Sequence, residues 1–202
     1  DNEEHKYLVF VTKNGVIKRT ELSEFDNIRK SGKIAITLKE DDELIYVGVT
    51  TGNDEIAIGA NNGRMVRFNE DEVRVMGRSA SGVKGIELED SKVIGAEVIK
   101  PNQLILIVTE NGYGKKSEIE EYRLTHRGSK GVKALNITDK NGMMVALKCV
   151  NPGDDYDLMI MTDSGIIIKL PLEQVSTLKR ATQGVRSVSY THLRAHETRG
   201  NL

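Results

Sequence analysis

Four short glycine-bearing segments gather side chains suited to one kind of chemistry. They are Arg29-Lys30-Ser31-Gly32-Lys33, Arg78-Ser79-Ala80-Ser81-Gly82-Val83-Lys84-Gly85, Tyr122-Arg123-Leu124-Thr125-His126-Arg127-Gly128-Ser129-Lys130-Gly131-Val132-Lys133 and Lys179-Arg180-Ala181-Thr182-Gln183-Gly184-Val185-Arg186. None contains a carboxylate. Guanidinium forks and ammonium groups donate charge-assisted hydrogen bonds to phosphate, and glycine lets a loop backbone come close to a ligand and present its N–H groups. The expected ligand is therefore a phosphate polyanion.

The segments are placed by an internal repeat, which must be recognised before any fold is assigned. Turn glycines Gly15, Gly63, Gly112 and Gly165 recur at intervals of about 50 residues. Four residues beyond each stand Arg19, Arg67, Lys116 and Lys169; ten beyond stand Phe25, Val73, Tyr122 and Val175; fifteen beyond stand Lys30, Arg78, Arg127 and Arg180. Two columns are cationic and one is apolar. The candidate contacts are Lys30, Lys33, Arg78, Lys84, Arg123, Arg127, Lys130, Lys133, Arg180 and Arg186, with Arg19, Arg67, Lys116 and Lys169 as a secondary set.

Each unit reads as strands. Tyr7 to Thr12 is an apolar, β-branched and aromatic run ending at Lys13-Asn14-Gly15, where Asn-Gly predicts a type I′ hairpin turn. Val16 to Arg19 returns, Ile34 to Leu38 alternates as a half-buried strand should, and Leu44 to Val49 makes a fourth. The later units repeat this, with Ile86 to Leu88 and Ala134 to Ile137 standing where Ile34 to Leu38 does. Four strands per unit and no helical stretch predict an all-β propeller of four-stranded blades. The repeats run over about 5–53, 54–101, 102–154 and 155–186 within one domain, 1–186. Residues 187–202 fit no repeat, and Val188 to Thr198 resembles the translation of a transposase adapter used in preparing sequencing libraries, so this tail is set aside as non-native.

The net charge of −1 disfavours a nucleic-acid partner only if charge is evenly spread. Acids instead concentrate at Glu40 to Glu43, Asp54-Glu55, Glu87 to Asp90 and Asp154 to Asp157, away from the basic segments, which leaves room for a basic rim. Cys149 is the single cysteine, which excludes a disulfide within the chain. No apolar run approaches the roughly 20 residues that span a bilayer, and no signal peptide opens the chain, so a cytoplasmic location is expected. Outside the tail only His5 and His126 remain, neither with an evident nucleophile and acid, so no catalytic site is expected. The glycine segments lack P-loop order. His192 and His196 have no third ligand nearby, and no metal site is expected. The tyrosines Tyr7, Tyr46, Tyr113, Tyr122 and Tyr156 suit core or blade contacts rather than base stacking.

Three segments together carry a family resemblance: Val75 to Ile86, Val108 to Lys116, and Glu121 to Leu124 with Arg127 to Val132. The chain to about Arg186 resembles the C-terminal domain of the DNA gyrase A subunit, part of a bacterial type IIA topoisomerase. The resemblance implies a β-pinwheel of six blades, of which about four are present here. It further implies that duplex DNA wraps around a basic perimeter, in the company of the B subunit and of the remainder of the A polypeptide, near the nucleoid. Such a domain breaks no bonds and holds no cofactor; ATP and magnesium serve the holoenzyme elsewhere during negative supercoiling. The family's wrapping box, Gln-Arg-Arg-Gly-Gly-Lys-Gly, has its nearest relative in Thr125 to Gly131. The related domain of topoisomerase IV is the alternative within the superfamily, and a protein-interaction propeller is the alternative of another class.

Overall fold

The computed structural model describes residues 4–27 and 29–186, and the backbone of 190–192. The first unit supplies β1 (Tyr7–Thr12), β2 (Val16–Glu21) and β3 (Leu44–Thr50), and the second β4 (Glu55–Ala60), β5 (Arg64–Asn69), β6 (Val83–Lys84) and β7 (Val93–Ile99). The third supplies β8 (Leu104–Thr109), β9 (Tyr113–Glu118), β10 (Val132–Lys133) and β11 (Met144–Val150). The fourth supplies β12 (Asp157–Met161), β13 (Ile166–Pro171), β14 (Val185–Arg186) and β15 (Tyr190–His192). Single-turn 3₁₀ segments follow β2, β5, β9 and β13.

The sheets do not coincide with the sequence repeats. Their strand orders are β3-β1-β2-β6, β10-β5-β4-β7, β11-β8-β9-β14 and β12-β13-β15. Each of the first three blades is thus closed at one edge by a two-residue strand from the basic loop of the following unit. Strands β3, β7 and β11 form the opposite edge, where β7 packs against both β3 and β11. The loop strands therefore lie at the outer rim and the long strands near the axis.

Burial follows from this stacking. In β8, Ile105 and Ile107 pack with blade two while Leu106 and Val108 pack toward blade four, so a continuous apolar run is buried on both faces. Removing each such side chain from water contributes about 1.5–3 kcal/mol. At the hairpin turns the glycine N–H donates back to Thr12, Ala60, Thr109 and Thr162 at 2.9–3.1 Å, and only the glycine has positive φ. That pattern is a type I turn closed by a left-handed glycine, not the type I′ turn expected from Asn-Gly.

The expected strands at Ile34 to Leu38, Ile86 to Leu88 and Ala134 to Ile137 are not formed. Ala134 and Leu135 instead donate to the carbonyl of Gly63 at 2.8 and 3.2 Å, capping the turn of the preceding blade, and Ile86 does the same to Gly15 at 3.3 Å. The backbone has a partner, but the partner is a turn rather than a strand. The loop glycines serve the same junction: Gly82 has φ +100°, and an added Cβ would meet the Ile17 carbonyl at 2.5 Å; Gly131 would strike the Met65 carbonyl. Their role is close approach to the neighbouring blade, not to a ligand.

Gly131→Ala should therefore cost roughly 2–3 kcal/mol, from a left-handed backbone and a blocked edge. Urea unfolding with an unchanged midpoint would contradict this account of the junction.

Candidate nucleic-acid interface

The rim is built by repeating one register. In β6, β10 and β14 the second residue is a cation, Lys84, Lys133 or Arg186, paired across the ladder with Val16, Arg64 or Tyr113, and all three cations are exposed. Matched strands place matched charges on three successive outer edges. Lys30, Arg123 and Lys130 are also exposed, while Lys33 is half-buried and donates to the carbonyls of Glu24, at 3.2 Å, and Asp26.

Inside the loops, Arg78, Arg127 and Arg180 are half-buried and each reaches to the preceding loop. Their Nη1 atoms donate to the carbonyls of Ile34 at 3.4 Å, Lys84 at 3.0 Å and Lys133 at 2.6 Å. Arg127 Nε also donates to the Glu72 carbonyl at 2.9 Å. Carbonyls position a guanidinium without neutralising it. With five N–H donors per group, much of each fork is left to address an anion.

Carboxylates do approach the rim, contrary to the segregation seen along the sequence. Lys84 pairs with Glu87 at 2.5 Å, Lys179 with Glu121 at 2.8 Å, and Lys130 with Glu89. Hydrogen bonding from Lys179 holds the Glu121 carboxyl below the usual carboxylate range. Exposed pairs of this kind are worth at most about 1 kcal/mol, so a phosphate can displace them.

The secondary set behaves differently. Arg19 is buried, lies 4.6 Å from the Tyr7 ring centre, and bonds the Val73 carbonyl at 2.9 Å and Glu70 at 3.5 Å. Arg67 bonds Glu55 at 2.6 Å and the carbonyls of Ile119 and Tyr122 at 3.2 and 2.7 Å; Lys116 bonds the Leu172 carbonyl at 2.9 Å. These three clamp one blade to the 3₁₀ turn of the next, Arg19 buried and Arg67 and Lys116 half-buried. Lys169, in the fourth blade, stays exposed and pairs with Asp157 at 3.5 Å.

Three further cations, missed in the sequence, reach the loops from the strands beside them, Lys18 and Lys115 from the buried side and Arg64 from the solvent side. Lys18 Nζ donates to the carbonyl of Arg78 at 2.5 Å and to that of Ala35; Lys115 Nζ donates to the carbonyls of Lys179 and Thr182 at 3.1 and 3.2 Å and to that of Arg180. Arg64 donates to the carbonyls of Lys130 and Gly131 at 3.2 and 3.0 Å. Burial, and then the nearby Arg180 charge, pushes the Lys115 ammonium down to about 8. The available signal was positional: Lys18 and Lys115 stand three residues after their turn glycines, where the second and fourth units carry the apolar Val66 and Ile168.

Among the described residues no three His, Cys, Asp or Glu side chains form a metal-binding group, and no helix is long and apolar enough to cross a membrane. Cys149 is shielded, its thiol pushed up to about 12 by burial and by Glu97. Tyr122 is fully buried, and Tyr46 Oη accepts from the Val98 N–H at 3.2 Å, as expected of blade contacts. Tyr156 is exposed.

Three four-stranded antiparallel sheets, each edge-closed by the next unit, followed by a three-stranded one and rimmed with cations, define a β-propeller of the pinwheel kind. The chain belongs to the family described as DNA gyrase C-terminal domain, beta-propeller, whose model matches residues 6–51, 54–100, 103–151 and 156–194. The last match extends past Arg186, and β15 pairs with β13 where other blades take a loop strand. Residues 187–189 and 193–202, with His196 and most of the tail set aside in the sequence, lie outside the described residues. The gyrase A protein of Halalkalibacterium halodurans is 61% identical over 184 residues, spanning 91% of this chain and 22% of that protein. Its counterpart in Ureaplasma parvum is 47% identical, spanning 94% and 22%. The chain thus spans about a fifth of the length of these relatives. A solved C-terminal domain of DNA topoisomerase IV superposes with TM-score 0.79 at 27% identity, covering 95% of this chain and 64% of that one. A solved DNA gyrase A C-terminal domain gives TM-score 0.76 at 24% identity over 96% of this chain and 64% of that one, a likeness of fold.

Replacing Arg19 by Met should lower stability by about 3 kcal/mol, because Glu70 would remain buried without its countercharge. The clamp assignment fails if guanidinium-induced unfolding of this variant matches the parent.

Proposed function

We propose that the chain binds duplex DNA along its outer rim, with little regard for sequence, and holds it curved. The observation that carries this reading is the register-matched placement of Lys84, Lys133 and Arg186 on successive edges, each beside a loop arginine whose charge is not spent on a carboxylate. Lys30, Lys33, Arg123, Lys130 and, in the fourth blade, Lys169 add to the same field. Bending a site of 20–30 base pairs through 40–90° costs about 1–6 kcal/mol, more than one loop supplies, so a periodic rim is the suitable device.

In this reading the chain is a non-catalytic DNA-wrapping portion of a gyrase A protein. It acts with the remainder of that polypeptide, and with the gyrase B protein, in ATP-dependent negative supercoiling of cytoplasmic, nucleoid DNA. The relatives that support the gyrase assignment over topoisomerase IV are the gyrase A proteins at 47–61% identity. Strand cleavage and ATP use belong to other parts of the parent enzyme, so no cofactor is assigned to this chain.

The triple variant K84E/K133E/R186E should lose at least about tenfold in affinity for random-sequence duplex. Its plot of log affinity against log salt should flatten by roughly 0.9 for each phosphate contact removed. Gel shifts that ignore salt, or a triple variant that binds like the parent, would rule the rim out; accelerated ring closure of nicked DNA would report the bend.

A further inference from the structure

We propose that Lys18, Arg64 and Lys115 are positioning residues for the DNA-facing loops, each gripping from one blade the backbone carbonyls of the loop that the next unit lays on it. The proposal deepens the DNA-wrapping reading and rests on it. The three stand on the equivalent return strands β2, β5 and β9. They serve the second, third and fourth basic loops in turn, so every loop that closes a preceding blade through a two-residue strand receives one cation from the strand it pairs with.

Blade packing does not require the two lysines. The position of Lys18 and Lys115 is taken by Val66 in the second unit and Ile168 in the fourth, and all four side chains are fully buried. An apolar residue therefore fits the site, while an ammonium there is costly to bury. Where valine stands, the cation moves two residues back along the strand and becomes Arg64, gripping the loop from its solvent side. One function is kept by two different routes.

The grip sets the direction of the loop's peptides. In a trans peptide the C=O of one residue and the N–H of the next point oppositely. Turning the carbonyls of Lys179, Arg180 and Thr182 onto Lys115 therefore turns the N–H groups of Arg180, Ala181 and Gln183 away from it. Arg180 N–H already meets an anionic oxygen, Glu121 Oε2 at 3.3 Å, and in the third loop Arg127 N–H meets Glu72 Oε1 at 3.3 Å. The loop thus presents amides as well as guanidinium to a phosphate.

The charged groups around Lys115 are Arg180 and Lys179 of the loop and Glu121 of the preceding 3₁₀ turn. Its folded value lies near 8 against an ordinary 10.5, so between those values the unfolded chain binds more protons. Stability attributable to this group therefore rises with pH across that window, while the grip on the loop weakens. A residue serving stability alone would not move the two readouts in opposite directions.

The test compares the chain with K115M, and with K18M as a second variant, between pH 7 and 9. For K115M we expect about a fivefold to tenfold loss of duplex affinity at pH 7, an unfolding midpoint no lower than the parent's, and faster amide exchange at Ala181 and Gln183. The parent's affinity should fall near pH 8 more than that of K115M. Equal affinity and equal exchange in parent and K115M overturn the proposal, as does a loss of affinity explained by a lowered unfolding midpoint. If the parent itself fails to bind duplex, the wrapping reading falls, and amide exchange alone then decides whether Lys115 orders the loop.

Discussion

The molecule depends on a strand exchange between neighbours. A two-residue strand from one unit supplies the outer edge of the blade before it, so none of the first three sheets is made of one unit's residues alone. Two residues of ladder are too little to hold by themselves. They are held by what flanks them: a glycine pressed against the neighbouring strand, apolar residues capping the neighbouring turn, and a cation from the neighbour bonded to the loop carbonyls.

The same exchange explains why the basic residues divide into two functions. In the first three units the cations four positions after each turn glycine point along the stack and meet carbonyls of the next unit, while those fifteen or more positions on are carried outward with the loop. One set holds adjacent blades together; the other is displayed. Salt screens exposed charges first, whereas the buried Arg19–Glu70 contact is sheltered from it.

Much of this organisation was legible in the residues. The glycine period, the apolar column ending in buried Val73, Tyr122 and Val175, and the loop cations at Lys84, Lys133 and Arg186 all align along the chain by position. What could not be read was which neighbour each residue meets. Arg19 and Arg78 are both arginines in cationic columns, and only the stacking of blades makes one a clamp and the other a rim residue. Ile34 to Leu38 alternates like a strand, yet alternation does not guarantee a ladder partner. Conversely, β6, β10 and β14 are too short to show any period, and Lys18 and Lys115 resembled ordinary polar interruptions of a strand.

Because each loop is wedded to the blade before it, the natural seam of this array does not fall between sequence repeats. A recombination event that cuts at the repeat boundary separates a loop from the strand shaped to receive it. Val66 with Arg64 suits one partner loop, and Lys115 with Tyr113 another, so shuffled units would meet mismatched sockets. Lineages that gain or lose blades by this route must carry the receiving strand and its incoming loop as a single heritable cassette.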